Sequence, residues 1–102
     1  MVKHVVCFKL KDNSPEKCAE ARQLLLSMAG KVPQVLRMQV DVDFLHSERS
    51  YDILLTVWLQ DAAALEAYQN DPYHCGTVKP YMHAARTASV ALDAEVADDG
   101  LL

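Results

Sequence analysis

Val35-Leu36-Arg37-Met38-Gln39-Val40-Asp41-Val42-Asp43-Phe44 alternates strictly between apolar and polar side chains. Leu36, Met38, Val40, Val42 and Phe44 fall on one side, and Arg37, Gln39, Asp41 and Asp43 on the other. Successive side chains of a strand point to opposite faces, so this period of two predicts a strand with one buried face. The polar stretch His46 to Ser50 then interrupts the pattern, and a further strand is predicted from Tyr51 to Leu59. Its faces are Tyr51, Ile53, Leu55, Val57, Leu59 and Asp52, Leu54, Thr56, Trp58. Two strands joined by so short a loop predict an antiparallel pair.

Upstream, residues 3–10 read as a strand rich in β-branched and apolar residues. His4, Val6, Phe8 and Leu10 form its more apolar face, so His4 is expected to point into the core. Ser14-Pro15-Glu16 is a helix start: Ser14 can cap, Pro15 suits the first helical position, and Glu16 complements the dipole. Cys18, Ala21, Leu25 and Met28, widened by Leu24, give this helix a buried stripe running to about Ala29. Gly30 and Pro33 end it.

Downstream of the hairpin, Asp61 caps a second helix reaching about Asn70, with Ala64, Leu65 and Tyr68 turned inward. Asp71-Pro72 breaks this helix and restarts a short one on which His74, Val78 and Tyr81 share a face. A last strand is predicted from Arg86 to Leu92. The chain thus reads as strand, helix, strand, strand, helix, strand: an α+β domain over 1–95. The acidic tail 96–102 is expected to be disordered.

Helices cover only one face of such a sheet. The other carries Val5, Cys7, Leu54 and Trp58 among Lys3, Asp52, Thr56 and Asp41, too apolar to be left in water and too polar for a core. A homodimer interface fits this mixture.

Composition narrows the function classes. The 102 residues suit one domain, and 51% apolar with 24% charged residues is ordinary globular usage. Ten Lys and Arg are scattered among fourteen Asp and Glu, for a net charge of −4, which disfavours nucleic acid as a partner. Apolar runs are too short to span a bilayer, and the chain enters a strand directly from Met1, so a cytoplasmic protein with no membrane partner is expected. Cys7, Cys18 and Cys75 form neither a disulfide framework nor a zinc module, and are expected to be buried or half-buried reduced thiols. There is no GxGxxG or P-loop, and no metal or cofactor is expected.

Three segments in order resemble a known family. His4, Phe8, Lys9 and Lys11 resemble an HxxxFKxK first strand. Tyr51-Asp52-Ile53-Leu54-Leu55 resembles a YDxxL third strand, and the segment from Ala64 to His74 resembles a helix ending ALxxYQxHPxH, with Asp71 in place of the first histidine. The pattern is similar to that of the stress-responsive α/β-barrel (Dabb) family. It implies a ferredoxin-like βαββαβ protomer with a four-stranded antiparallel sheet, pairing through its uncovered face into a dimeric α+β barrel.

The resemblance extends distantly to a plant polyketide cyclase of this fold, olivetolic acid cyclase. It implies that His74 serves as a general base held by His4, with Tyr68 as donor or pocket wall, in an aldol-type closure of a small carbonyl compound. The residue reading places the same three side chains between sheet and helices. An imidazole titrating near neutrality suits proton transfer beside a carbonyl. Where the cyclase has aromatic pocket residues, this chain has Gln23, Leu25 or Leu26 and a small residue near Ala85, so a different substrate is expected. Two other readings stay open: a pocket that holds a small apolar ligand without reacting, and a stress-associated structural dimer. His46 and His83 are expected to be surface residues without a role, and Tyr51, Tyr73 and Tyr81 packing residues.

Overall fold

The computed structural model describes residues 1–97. Its first strand, β1 (Val2–Leu10), becomes the centre of the sheet because its alternate residues are apolar on both faces. It pairs antiparallel with β3 (Ile53–Leu59) on one side and β4 (Arg86–Glu95) on the other. β2 (Arg37–Val42) adds to the outside of β3, giving the order β2-β3-β1-β4. Three helices, α1 (Pro15–Leu26), α2 (Ala62–Gln69) and α3 (Lys79–Ala85), connect these strands. The ferredoxin-like α+β arrangement expected from the sequence is present.

The core lies between the helices and one sheet face. Phe8, Leu10, Ile53, Leu55 and Val57 meet Leu25, Met28, Tyr68, Val78 and Met82, all buried. Each such side chain removed from water contributes about 1.5–3 kcal/mol, so this layer supplies the main drive to fold.

Element ends depart from the sequence pattern for local reasons. α1 stops at Leu26 rather than Ala29 because the Ser27 hydroxyl turns back onto the Leu24 carbonyl and the next amides close short turns. The chain reverses at Gly30, whose φ of 85° favours a residue without a side chain. β2 is shorter than its alternation because its partner begins only at Ile53, so Phe44 is left 87% exposed rather than sharing the buried face. β4 runs on to Glu95, beyond the expected Leu92, because the start of β1 pairs with it (Val2 opposite Glu95).

Between α2 and α3 the backbone widens into a single π turn, His74–Val78. Pro80 follows directly, and a proline ring crowds the carbonyl four residues before it, here Gly76. Widening the turn relieves that contact. The shared inward face is therefore His74, Val78 and Met82, while Tyr81 sits at the edge and donates to Glu20 Oε1 at 2.9 Å.

On the uncovered face, Lys3 and Arg37 lie opposite Trp58, Val5 and Gln39 opposite Thr56, and Cys7 and Asp41 opposite Leu54. Asp52 does not belong to this face as expected. It is buried, and it accepts from the Leu10 amide at 2.7 Å and from Asn13 Nδ2 at 3.2 Å, so it ties the end of β1 to the following loop. β4 adds Val90 and Leu92, 52% and 67% exposed. Of the cysteines, Cys18 is buried and Cys7 half-buried, but Cys75 is exposed, which corrects that expectation. Of the tail 96–102, expected to be disordered, Val96 donates its amide to the Met1 carbonyl at 2.8 Å, and 98–102 lie outside the described residues.

Candidate functional site

His4 enters the site from the middle of the sheet because its parity on β1 matches that of Val6 and Phe8. Tyr68 comes from the inward stripe of α2, and His74 from the start of the π turn. Asp71 sets the position of His74: its Oδ1 accepts from the amides of Tyr73 (2.9 Å) and His74 (3.1 Å), capping the restarted helix as the sequence predicts. All three rings are buried, at 5%, 0% and 8% exposure for His4, Tyr68 and His74. The Tyr68 ring stands between the imidazoles, its centroid 5.5 Å from that of His4 and 4.4 Å from that of His74.

The expected hydrogen bond between the two histidines is not formed, which corrects the view of His74 as held by His4. Each imidazole has its own anchor. His74 Nδ1 lies 2.9 Å from the Tyr68 carbonyl oxygen. A carbonyl only accepts, so Nδ1 carries the proton and Nε2 the lone pair in the neutral ring. His4 Nδ1 donates to the carboxylate of Asp93, a side chain delivered by the extra turnless length of β4. Asp93 lies beyond the predicted end of that strand at Leu92, three residues short of its actual end at Glu95; the register opposite His4 was the signal that could have found it.

Burial pulls the His74 pKa below the ordinary histidine value, and the charges of Lys79 and His4 act in the same direction. The Tyr68 carbonyl and Asp71 oppose this without reversing it. Burial pushes the Tyr68 phenol well above its usual value. Its hydroxyl donates to Met28 Sδ at 3.7 Å, so the ring rather than the oxygen meets its histidine neighbours.

These side chains line a cavity of about 200 Å³. Val6, Phe8, Leu25, Leu55 and Val78 make its apolar wall. Lys79, His83 and Arg86 line it as well; His83 is exposed, a surface residue as expected. His46 is exposed beside Asp43 in the loop between β2 and β3, where its φ is 54°, and does not line this cavity. Among the described residues no three His, Cys, Asp or Glu side chains gather as a metal site. No helix among them is long and apolar enough to cross a membrane.

The sequence matches the family model of the stress responsive A/B barrel domain, Dabb, over residues 2–96. The chain belongs to the Dabb family. Its fold recurs in a dimeric ferredoxin-like protein of unknown function from Thermobifida fusca, at TM-score 0.80 and 18% identity, covering 93% of this chain and 90% of that one. A dimeric protein of unknown function with a ferredoxin-like fold from Bacteroides fragilis matches at TM-score 0.78 and 19% identity, covering 93% and 95%. An antibiotic biosynthesis monooxygenase matches at TM-score 0.67 and 18% identity, covering 94% and 98%. No curated protein sequence matches. At these identities the likeness establishes the Dabb fold alone.

Proposed function

We propose that this Dabb protein binds a small carbonyl compound in the His4–Tyr68–His74 cavity and acts on it by cofactor-free acid–base chemistry. The observation that carries the reading is the tie between His74 Nδ1 and the Tyr68 carbonyl, which leaves the basic Nε2 as the ring nitrogen free for the ligand. His74 Nε2 takes a proton from the carbon beside a carbonyl, leaving an enolate. His4, protonated and held through Nδ1 by Asp93, donates from Nε2 to the oxygen on which charge develops. In an aldol closure the enolate carbon then bonds to a second carbonyl carbon, whose oxygen takes up the proton. Tyr68 serves as the wall between the two imidazoles. The same enolate leads to isomerisation when the proton returns to another carbon.

A screen of β-polyketone and quinol-like compounds with wild type and His74→Gln tests this. Turnover by wild type that His74→Gln lacks supports it, and equal turnover by both removes His74 from the mechanism. Compounds that bind at the cavity and leave unchanged support a ligand-holding module instead.

A second reading concerns assembly. The uncovered face leaves Val90 and Leu92 exposed, and among the described residues the buried Trp58 Nε1 has no hydrogen-bond partner. Buried indole N–H groups are ordinarily satisfied. Pairing of two chains through Val5, Cys7, Leu54 and Trp58 would cover these side chains, and the T. fusca and B. fragilis proteins of this fold are themselves dimeric.

A further inference from the structure

The charge lining the cavity is inverted relative to the chain. Acids outnumber bases fourteen to ten overall. Lys79, His83 and Arg86 nevertheless all face the cavity, together with His4 and His74, and among the described residues no Asp or Glu lines it. Two carboxylates stand behind the lining: Asp93 is engaged by His4, and Asp71 by the amides of Tyr73 and His74. A concave site with low-dielectric walls and one sign of charge focuses its field and draws the opposite charge from solution.

Arg86 is the informative member. It is half-buried at the junction where α3 ends and β4 begins. Among the described residues its guanidinium has no hydrogen-bond or ion-pair partner. Lys79 Nζ donates to the Gln69 carbonyl at 3.0 Å, which holds the ammonium in place and leaves its other protons unused. A planar fork of five donors that the protein leaves vacant matches a carboxylate in two parallel hydrogen bonds. The apolar wall behind it is sized for a compact body, since cavities of roughly 150 Å³ take up benzene.

We propose that the ligand is a small anionic carbonyl compound. Its apolar part lies against Val6, Phe8, Leu55 and Val78, and its carboxylate is held at the mouth by Arg86 with help from Lys79. This rests on the reading of the cavity as a ligand site, and it names the substrate class for that site. The acid group fixed at the mouth orients the molecule along the cavity toward His74 Nε2, so Arg86 selects the substrate and takes no part in proton transfer.

Benzoate and its neutral isostere benzamide test the selection, titrated into the intact protein while the ring resonances of His74 and Tyr68 are followed by NMR. The expected result at low salt is that benzoate binds at least tenfold tighter than benzamide. Arg86→Gln then brings the ratio close to one by weakening benzoate alone, and Arg86→Lys keeps part of the preference. Equal binding of the two probes by wild type, with both moving the His74 signal, overturns the anion preference and leaves the ligand site standing. If neither probe moves His74 or Tyr68, the ligand-site reading falls and the proposal with it. A preference for benzoate that survives undiminished in Arg86→Gln overturns the assignment to Arg86.

Discussion

His74 Nδ1 and the main-chain carbonyl oxygen of Tyr68 lie 2.9 Å apart, across the break between α2 and the π turn. That contact fixes the tautomer of a buried imidazole that burial keeps neutral. The unfolded chain takes up a proton on this histidine near 6.5, at a higher pH than the folded chain does. The unfolded state therefore binds more protons as acid is added, and stability falls as the pH drops below about 6.5 toward the lowered folded value. Above that range the contribution is constant. Urea midpoints measured from pH 5 to 8 are expected to show this slope, flattened in His74→Gln. NMR titration of the His74 ring is expected to give a midpoint below the ordinary histidine value.

Tyr68 separates wall from donor. Its hydroxyl contacts only a thioether, a weak acceptor, so Tyr68→Phe is expected to cost less than about 1 kcal/mol. As a wall residue its replacement by Phe also leaves turnover within about twofold, and a loss of a hundredfold would make the hydroxyl a participant. Tyr68→Ala empties a fully buried site and is expected to cost about 3–5 kcal/mol by chemical denaturation.

Asp52 is a structural carboxylate. In Asp52→Ala the buried Leu10 amide loses its acceptor, a loss expected to cost about 1–3 kcal/mol without altering ligand affinity. Denaturation and benzoate titration of the same variant check both halves.

Pairing through the open sheet face is expected to give a wild type that sediments at about twice its 11.4 kDa chain mass at micromolar concentration. Trp58→Asp places a carboxylate against the stacked Arg37 and Lys3 and is expected to run as a monomer. A monomeric wild type would remove the barrel.

Strand parity made most of the fold legible. The alternation at Leu36 to Val42 and the apolar face His4-Val6-Phe8-Leu10 fix which side meets the helices, and from that the inward placement of His4, Tyr68 and His74 follows. The anchors of these rings were not legible in the same way. Asp93 is a polar residue near the end of an edge strand, and its partner is set by register with β1, a long-range relation that periodicity does not encode. The Tyr68 carbonyl is main chain and leaves no trace in residue type. Asp52 looked like a surface member of its strand because alternation cannot report that the strand begins one residue later and that the loop folds over it. His83 read as a surface residue and Arg86 as the start of the last strand, and only the π turn and the return into β4 bring them with Lys79 to one cavity.

The pH profile of kcat/KM on the best compound of the polyketone screen, for wild type and His74→Gln, tests the central claim most directly. The expected wild-type rate rises with pH about a midpoint below the ordinary histidine value, because burial holds the base there. A plateau about 10²–10⁴-fold lower is expected in His74→Gln, with the rising limb gone. A His74→Gln profile that overlays the wild type would contradict it.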